Sequence, residues 1–120
     1  MEKTRRPLNQ DERKALEEFA HLQIPFPDLR RRLSGVLEFE FKATEIRLSP
    51  HYEFLDPAIR IEQPHVNEAL SRFERGQIST DEIRNWATML LMIDAYDWEG
   101  PDEDWIADRL NELALLGLSI

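Results

Sequence analysis

At residues 78–86 the chain reads Ile78-Ser79-Thr80-Asp81-Glu82-Ile83-Arg84-Asn85-Trp86, the clearest local signal in its 120 residues. Ser79 and Glu82 have the spacing of a capping box, and Ile78 and Ile83 have the spacing of a hydrophobic staple. We therefore predict that a helix begins here. Its buried face is predicted to contain Ile83, Trp86, Ala87, Leu90 and Ile93, with Met89 and Met92 at the edges.

Similar helices are predicted on both sides of this one. The preceding segment has Val66, Ala69, Leu70 and Phe73 at helical spacing, and Gly76 is suited to end it in the left-handed conformation. In the following segment, Pro101 suits a first helical position, and the acids after it suit the positive end of the helix dipole. The apolar residues Ile106, Leu110, Leu113 and Ala114 complete that helix.

The middle of the chain has the two-residue period of a strand. Leu37, Phe39 and Phe41 alternate with charged residues, and Ile46 and Leu48 continue with the opposite parity. This switch requires a bulge or a tight turn around residues 42–44. A third short strand is predicted at residues 59–61.

An N-terminal helix is predicted from the capping-box pair Asn9 and Glu12, with an apolar stripe of Leu16, Phe19 and Ala20. The prolines of Ile24-Pro25-Phe26-Pro27 should end it. The predicted fold class is α+β: one N-terminal helix, a small antiparallel β element of two to three strands, then three C-terminal amphipathic helices. We expect residues 1–120 to form a single compact domain, with residues 1–8 as a candidate disordered segment.

The composition restricts the classes of protein to consider. The chain has no cysteine, so it offers no disulfide and no thiolate ligand. It has no apolar stretch approaching the ~20 residues of a membrane span, and no apolar segment follows its charged N-terminus. We expect a cytoplasmic protein that does not bind membranes.

Charge is unevenly distributed along the chain, whose net charge is −9. Residues 1–33 carry eight basic and six acidic residues, or +2, whereas residues 94–120 carry one arginine and eight acids, or −7. Such a region repels nucleic acid and attracts basic protein surfaces. Acidity that serves solubility alone is the alternative interpretation.

The acidic residues are interleaved with large aromatic residues around Gly100-Pro101. We interpret this run as an exposed docking corner, in which Trp98 and Trp105 are either exposed interface anchors or buried under the loop. The predicted partner-binding residues are Asp94, Tyr96, Asp97, Trp98, Glu99, Asp102, Glu103, Asp104, Trp105 and Asp108.

The sequence contains no pattern typical of catalysis. His21, His51 and His65 have no paired-ligand spacing, and nucleophile and phosphate-loop motifs are missing. We therefore assign no catalytic, metal or cofactor-binding residue and expect a protein that is not an enzyme. The basic cluster at residues 30–32 is too small to grip nucleic acid, and we interpret it as a solvated turn or a salt-bridge partner for the acidic half.

The segment from Arg72 to Ala87, followed by acids and a last amphipathic helix, resembles short bacterial immunity proteins of polymorphic or contact-dependent toxin systems. The resemblance covers residues 64–118. It implies a cytosolic inhibitor that occludes the active site of a toxin in a one-to-one complex, and the acidic corner would suit a toxin domain with a basic cleft, as in nucleases.

Two hypotheses follow for the function. In the first, the chain is an immunity-type inhibitor whose acidic corner binds a toxin. In the second, it is a regulatory or structural module, such as a phage or mobile-element protein or a homodimer, and the same aromatic residues are buried against a symmetry mate.

Overall fold

The structure, a computed structural model, describes residues 6–41, 46–50, 52 and 58–116. These residues form five helices and two pairs of strands, so the predicted combination of helix and strand is confirmed. In chain order the elements are α1 (Gln10–Ala20), α2 (Phe26–Arg32), β1 (Leu37–Phe41), β2 (Ile46–Pro50), β3 (Ile59–Arg60), α3 (Gln63–Glu74), α4 (Thr80–Met92), β4 (Tyr96–Asp97) and α5 (Glu103–Ala114).

Helix α4 begins at the predicted capping box. Ser79 Oγ accepts a hydrogen bond from the Glu82 N–H, and Glu82 Oε1 accepts one from the Ser79 N–H, both at 3.1 Å. The predicted apolar face is buried, but Met89 belongs to it rather than to its edge, since it is 0% exposed. Arg84 near the start of α4 donates to the Leu116 carbonyl beyond the end of α5 (2.9 Å), so α4 and α5 pack antiparallel.

Helix α1 is fixed across the core by two long-range hydrogen bonds. Trp86 Nε1 donates to the Ala20 carbonyl (3.2 Å), and the Tyr96 hydroxyl donates to the Leu16 carbonyl (2.6 Å). The capping box of Asn9 and Glu12 is confirmed. Core formation around α1 therefore depends on residues from the other half of the chain.

The N-terminal segment is tied to α1 through Arg6. Its guanidinium donates to both carboxylate oxygens of the buried Glu12, at 2.8 and 2.7 Å, and these hydrogen bonds lower the pKa of Glu12. Of the candidate disordered segment, residues 6–8 are thus part of the structure and residues 1–5 lie outside the described residues.

The prediction of a single N-terminal helix was wrong, because the prolines that end α1 also allow α2 to begin. Pro25 is the N-cap of α2 and Pro27 lies in its first turn, where the missing N–H is tolerated. Leu29 is buried, and Arg32 pairs with two α1 carboxylates, Glu18 at 2.7 Å and Asp11 at 3.0 Å. Arg32 is therefore a partner of α1 rather than of the acidic half.

The strands form two separate pairs. β1 and β2 are antiparallel, with Leu37 opposite Pro50 and Phe41 opposite Ile46, and the predicted bulge or turn lies outside the described residues. β3 does not extend this sheet as a third antiparallel strand. It pairs in parallel with β4, because α3 and α4 provide the long crossover that parallel pairing requires.

Helices α1 and α3 end in the same backbone arrangement, a Schellman motif with a left-handed residue after the helix. That residue is Leu22 (φ 60°) after α1 and Gly76 (φ 74°) after α3. In both, its N–H donates to the carbonyl three residues earlier (3.0 Å), and the next N–H donates to the carbonyl five residues earlier (2.8 Å). The glycine signal was recognised in the sequence, whereas the leucine was not.

Candidate protein-binding surface

The acidic run lies at one end of the antiparallel pair α4 and α5. Residues 93–102 connect the end of α4 to the start of α5, and the contact between Arg84 and Leu116 lies at the opposite end of the pair. The connection and the first turns of α5 therefore form one region of the surface. We call it the acidic surface and define it as Asp94, Asp97, Trp98, Glu99, Asp102, Glu103, Asp104, Trp105 and Asp108.

The short strand β4 holds the acidic surface against the core. The Ile59 N–H donates to the Ala95 carbonyl and the Ile61 N–H donates to the Asp97 carbonyl, both at 2.8 Å. Apolar burial on one side and backbone pairing on the other keep this part of the connection extended. The acidic residues that follow β4 are therefore attached to a backbone segment whose position is fixed by these hydrogen bonds.

Tyr96 does not belong to the exposed contact face on which the sequence placed it. Its side chain is 6% exposed, and its hydroxyl donates to the Leu16 carbonyl. Burial raises the pKa of Tyr96 well above its ordinary value. Because residues alternate sides along a strand, β4 presents Asp97 outward and Tyr96 inward, so Tyr96 supports the surface from beneath.

Most acids of the surface are open to solvent. Asp94, Glu99, Asp102, Glu103, Asp104 and Asp108 are exposed, and Asp97 is half-buried. Asp97 faces Arg60 at 3.8 Å and Asp94 accepts a hydrogen bond from the Tyr52 hydroxyl. Within the described part of the chain, no ion pair involves the four acids from residue 102 to residue 108.

Both tryptophans of the surface are half-buried, between the two alternatives that the sequence left open. Each packs against the edge of the core. The Arg109 guanidinium carbon lies 5.8 Å from the centroid of a Trp105 ring, and Arg109 also pairs with Glu112 at 2.8 Å. Trp98 lines a hollow of about 250 Å³ together with Pro101 and Asp102. Each tryptophan is therefore partly packed against the core and partly accessible to solvent.

Arg60 is a member of this region that the sequence analysis missed. Its guanidinium faces Asp97 and donates to the Glu99 carbonyl, so it partly offsets the acidic charge. Gly100 permits this approach, because it has φ 142° and a Cβ there would lie 2.7 Å from the Arg60 guanidinium. Only the pairing of β3 with β4 brings Arg60 here, and no local signal in the sequence marks that pairing.

The structure also brings two histidines together. The rings of His21 and His65 have centroids 4.5 Å apart, although 44 positions separate them in the sequence. His65 Nδ1 accepts a hydrogen bond from the Glu62 N–H (2.9 Å), and burial and the proximity of His21 lower the pKa of His65. In the described ranges, no three histidine, aspartate or glutamate side chains form a group that could hold a metal ion.

Comparisons of the chain with protein-family models, curated proteins and solved structures found no match. Among the helices of the described residues, none is long and apolar enough to cross a membrane.

Proposed function

We propose that this chain is a small acidic protein-binding domain, and more specifically an immunity-type inhibitor that neutralises a cognate bacterial toxin by occluding its active site. One observation carries the proposal. Six exposed acids and two half-buried tryptophans share one end of the α4 and α5 pair, on a base fixed by β4.

The charge of the acidic surface supports a basic partner. Residues 94–116 carry eight acids and one arginine, and Arg60 adds one positive charge, which leaves 2 − 8 = −6. A cleft that binds an anionic substrate is positively charged, and the exposed carboxylates would occupy the positions of the substrate's negative groups. Opposite fields of this kind increase the rate of association and contribute to specificity.

The two tryptophans supply the apolar part of the proposed contact. Interface hot spots are enriched in tryptophan, and they lie in desolvated centres surrounded by polar residues. Both tryptophans have acidic neighbours in the sequence, since Trp98 lies between the half-buried Asp97 and the exposed Glu99, and Trp105 follows the exposed Asp104. An inhibitor of this kind acts by blocking access and requires no catalytic group of its own.

The proposal is tested by purifying the tagged chain from its native host at low and high salt and identifying bound proteins by mass spectrometry. We expect a stoichiometric partner with a basic catalytic domain whose binding weakens as salt rises. A preparation that contains the chain alone as a stable homodimer, with Trp98 and Trp105 shielded from quenchers, would contradict the proposal and favour a regulatory or structural module.

A matched pair of variants tests the location of the contact. The variant Asp104→Lys/Asp108→Lys changes two exposed acids of the acidic surface, and Glu68→Lys/Glu74→Lys makes the same change of charge on α3. We expect the first to slow association with the partner at least about tenfold and the second to change it by less than about twofold. Equal effects would contradict the assignment of the surface.

A further inference from the structure

A second feature of the molecule lies at the start of α4, far from the acidic surface. It is a cavity of about 320 Å³ between α4 and the connection from α1 to α2. Along α4, Met92 is ten residues beyond Glu82, or about 15 Å at 1.5 Å per residue, and Asp94 lies beyond that end of the helix. Its lining residues are Phe19, Leu22, Gln23, Ile24, Pro25, Phe26, Pro27, Ile78, Glu82, Asn85 and Trp86.

The walls of the cavity are mainly apolar and aromatic. The rings of Phe19 and Phe26 meet edge to face with centroids 6.5 Å apart, and Phe39 packs on Phe26 in the same way at 5.4 Å. The indole N–H of Trp86 already donates to the Ala20 carbonyl. These rings fix the shape of the cavity, and its volume is at the lower end of the roughly 300–1,000 Å³ typical of small-molecule sites.

The polar lining of the cavity has one sign of charge. It consists of Gln23, Glu82 and Asn85, and the described lining residues include one carboxylate but no lysine, arginine or histidine. Glu82 is exposed to solvent, and it is held in place because its Oε1 accepts the capping hydrogen bond from the Ser79 N–H. An apolar ligand with a positive charge would match both the walls and this carboxylate.

The strained residue Leu22 forms part of the wall. Its backbone has φ 60°, a conformation that costs a leucine more than a glycine, and it is held there by the Schellman hydrogen bonds and by Arg72, which donates to its carbonyl (3.3 Å). Glycine would relieve this strain but would remove the side chain that bounds the cavity. Retained strain of this kind is often found at binding sites.

We propose that this cavity binds a small organic amine, with its aromatic or branched aliphatic body between Phe19, Phe26 and Trp86 and its ammonium group beside Glu82. The site is independent of the acidic surface and of the function proposed for it.

The test uses phenethylamine as the probe and two-dimensional NMR of the full chain as the readout. We expect saturable shifts of the Trp86 indole N–H and the Asn85 side-chain amide, with a dissociation constant on the order of 1 mM. The matched anion 3-phenylpropionate has a similar body and the opposite charge, so it should bind at least about tenfold more weakly.

The variant Glu82→Gln tests the role of the carboxylate while it keeps a capping-box residue. We expect it to weaken phenethylamine binding about tenfold, whereas Glu17→Gln, at an exposed position of α1 that does not line the cavity, should leave binding unchanged. Four results would overturn the proposal: no saturable shift at about 20 mM amine, equal binding of the amine and the anion, no effect of Glu82→Gln, or saturation of the same resonances by a lysine-containing peptide but not by the free amine.

Discussion

The C-terminal ends of α1 and α3 have the same backbone conformation, but the left-handed residues differ in side chain and in surroundings. After α3, residues Glu74, Arg75 and Gly76 are exposed, and a Cβ at Gly76 would meet nothing within 4 Å. After α1, Leu22 is half-buried in the wall of a cavity. Glycine occupies the left-handed position at the exposed helix end, where no side chain is in contact. Leucine occupies it at the cavity, where the side chain makes contacts and the backbone conformation is strained.

The end of α1 is also more completely hydrogen-bonded. The last four carbonyls of a helix have no partner within it, and all four of α1 have donors. Three of these donors are the backbone N–H groups of the turn, and the fourth is Trp86 Nε1, which reaches Ala20 from α4. At α3 the structure shows backbone donors for the carbonyls of residues 71–73. At α1, the last carbonyl therefore receives its hydrogen bond from a tertiary contact. At the exposed end of α3, water can donate the corresponding hydrogen bond.

Among substitutions near these two helix ends, removal of the Trp86 indole should have the largest effect on the free energy of unfolding. We expect Trp86→Phe to lower the free energy of unfolding by about 3 kcal/mol, because it leaves a cavity in the core and removes the donor to the Ala20 carbonyl. Urea unfolding followed by circular dichroism measures the change. The half-buried Trp105 provides the control, and a loss no greater than that of Trp105→Phe would contradict the role assigned to Trp86.

Substitutions at Leu22 separate strain from packing. Leu22→Ala loses the side-chain contacts and keeps the strained backbone, so we expect a loss of about 2 kcal/mol. Leu22→Gly loses the same contacts but relieves the strain. It should therefore be more stable than the alanine variant by about 1 kcal/mol, even though glycine increases the conformational entropy of the unfolded chain. Paired urea titrations would detect this order, and the reverse order would show that Leu22 is not strained in solution.

The corresponding change at α3 should depend on the backbone alone. We expect Gly76→Ala to cost about 1 kcal/mol, since a Cβ there finds open space but the positive φ is unfavourable. Gly76→Leu should cost about the same, in the same unfolding assay. A stabilising leucine at this position would remove the distinction between the two helix ends.

The smallest expected effect is a dependence on pH at the end of α1, where His21 contacts His65. The pKa of His65 is lower in the folded state than its ordinary value of 6.5, so the folded protein binds the proton less readily than the unfolded chain. The stability that this group contributes is complete above pH 6.5 and is lost as the pH falls through the folded-state pKa. His65→Gln should therefore reduce the difference between urea midpoints measured at about pH 7.5 and about pH 5.

Gly76→Ala is the control for this prediction, because it alters the other helix end and should leave the pH dependence as in the parent chain. An unchanged pH dependence in His65→Gln would contradict the assignment of the effect to the histidine pair.

The sequence predicted the features that depend on residues close together in the chain. The capping boxes at Asn9 and Ser79, the glycine after α3 and the alternation in β1 are local patterns, and each is present in the structure. Helix α2 was missed because Pro25 and Pro27 can end one helix or begin another, and the seven-residue helix is stabilised by contacts with α1 that no local pattern encodes.

The candidate site was predictable in composition but not in detail. The run of acids and the half-buried tryptophans lie together because they are consecutive in the sequence. The burial of Tyr96 and the approach of Arg60 follow from the pairing of β3 with β4, which joins two-residue strands across two helices. The partner-binding role of the exposed acids stays a prediction.

The hydrogen bond from Tyr96 to Leu16 spans 80 positions, and that from Trp86 to Ala20 spans 66. During synthesis on the ribosome, α1 emerges before α4 and β4, so it lacks these two donors until the chain has been extended to those elements. Helix α1 thus acquires its complete native environment only after these later elements have been made. An incomplete chain that stops before residue 86 would expose the apolar stripe of α1, which is the kind of surface that chaperones shield from aggregation.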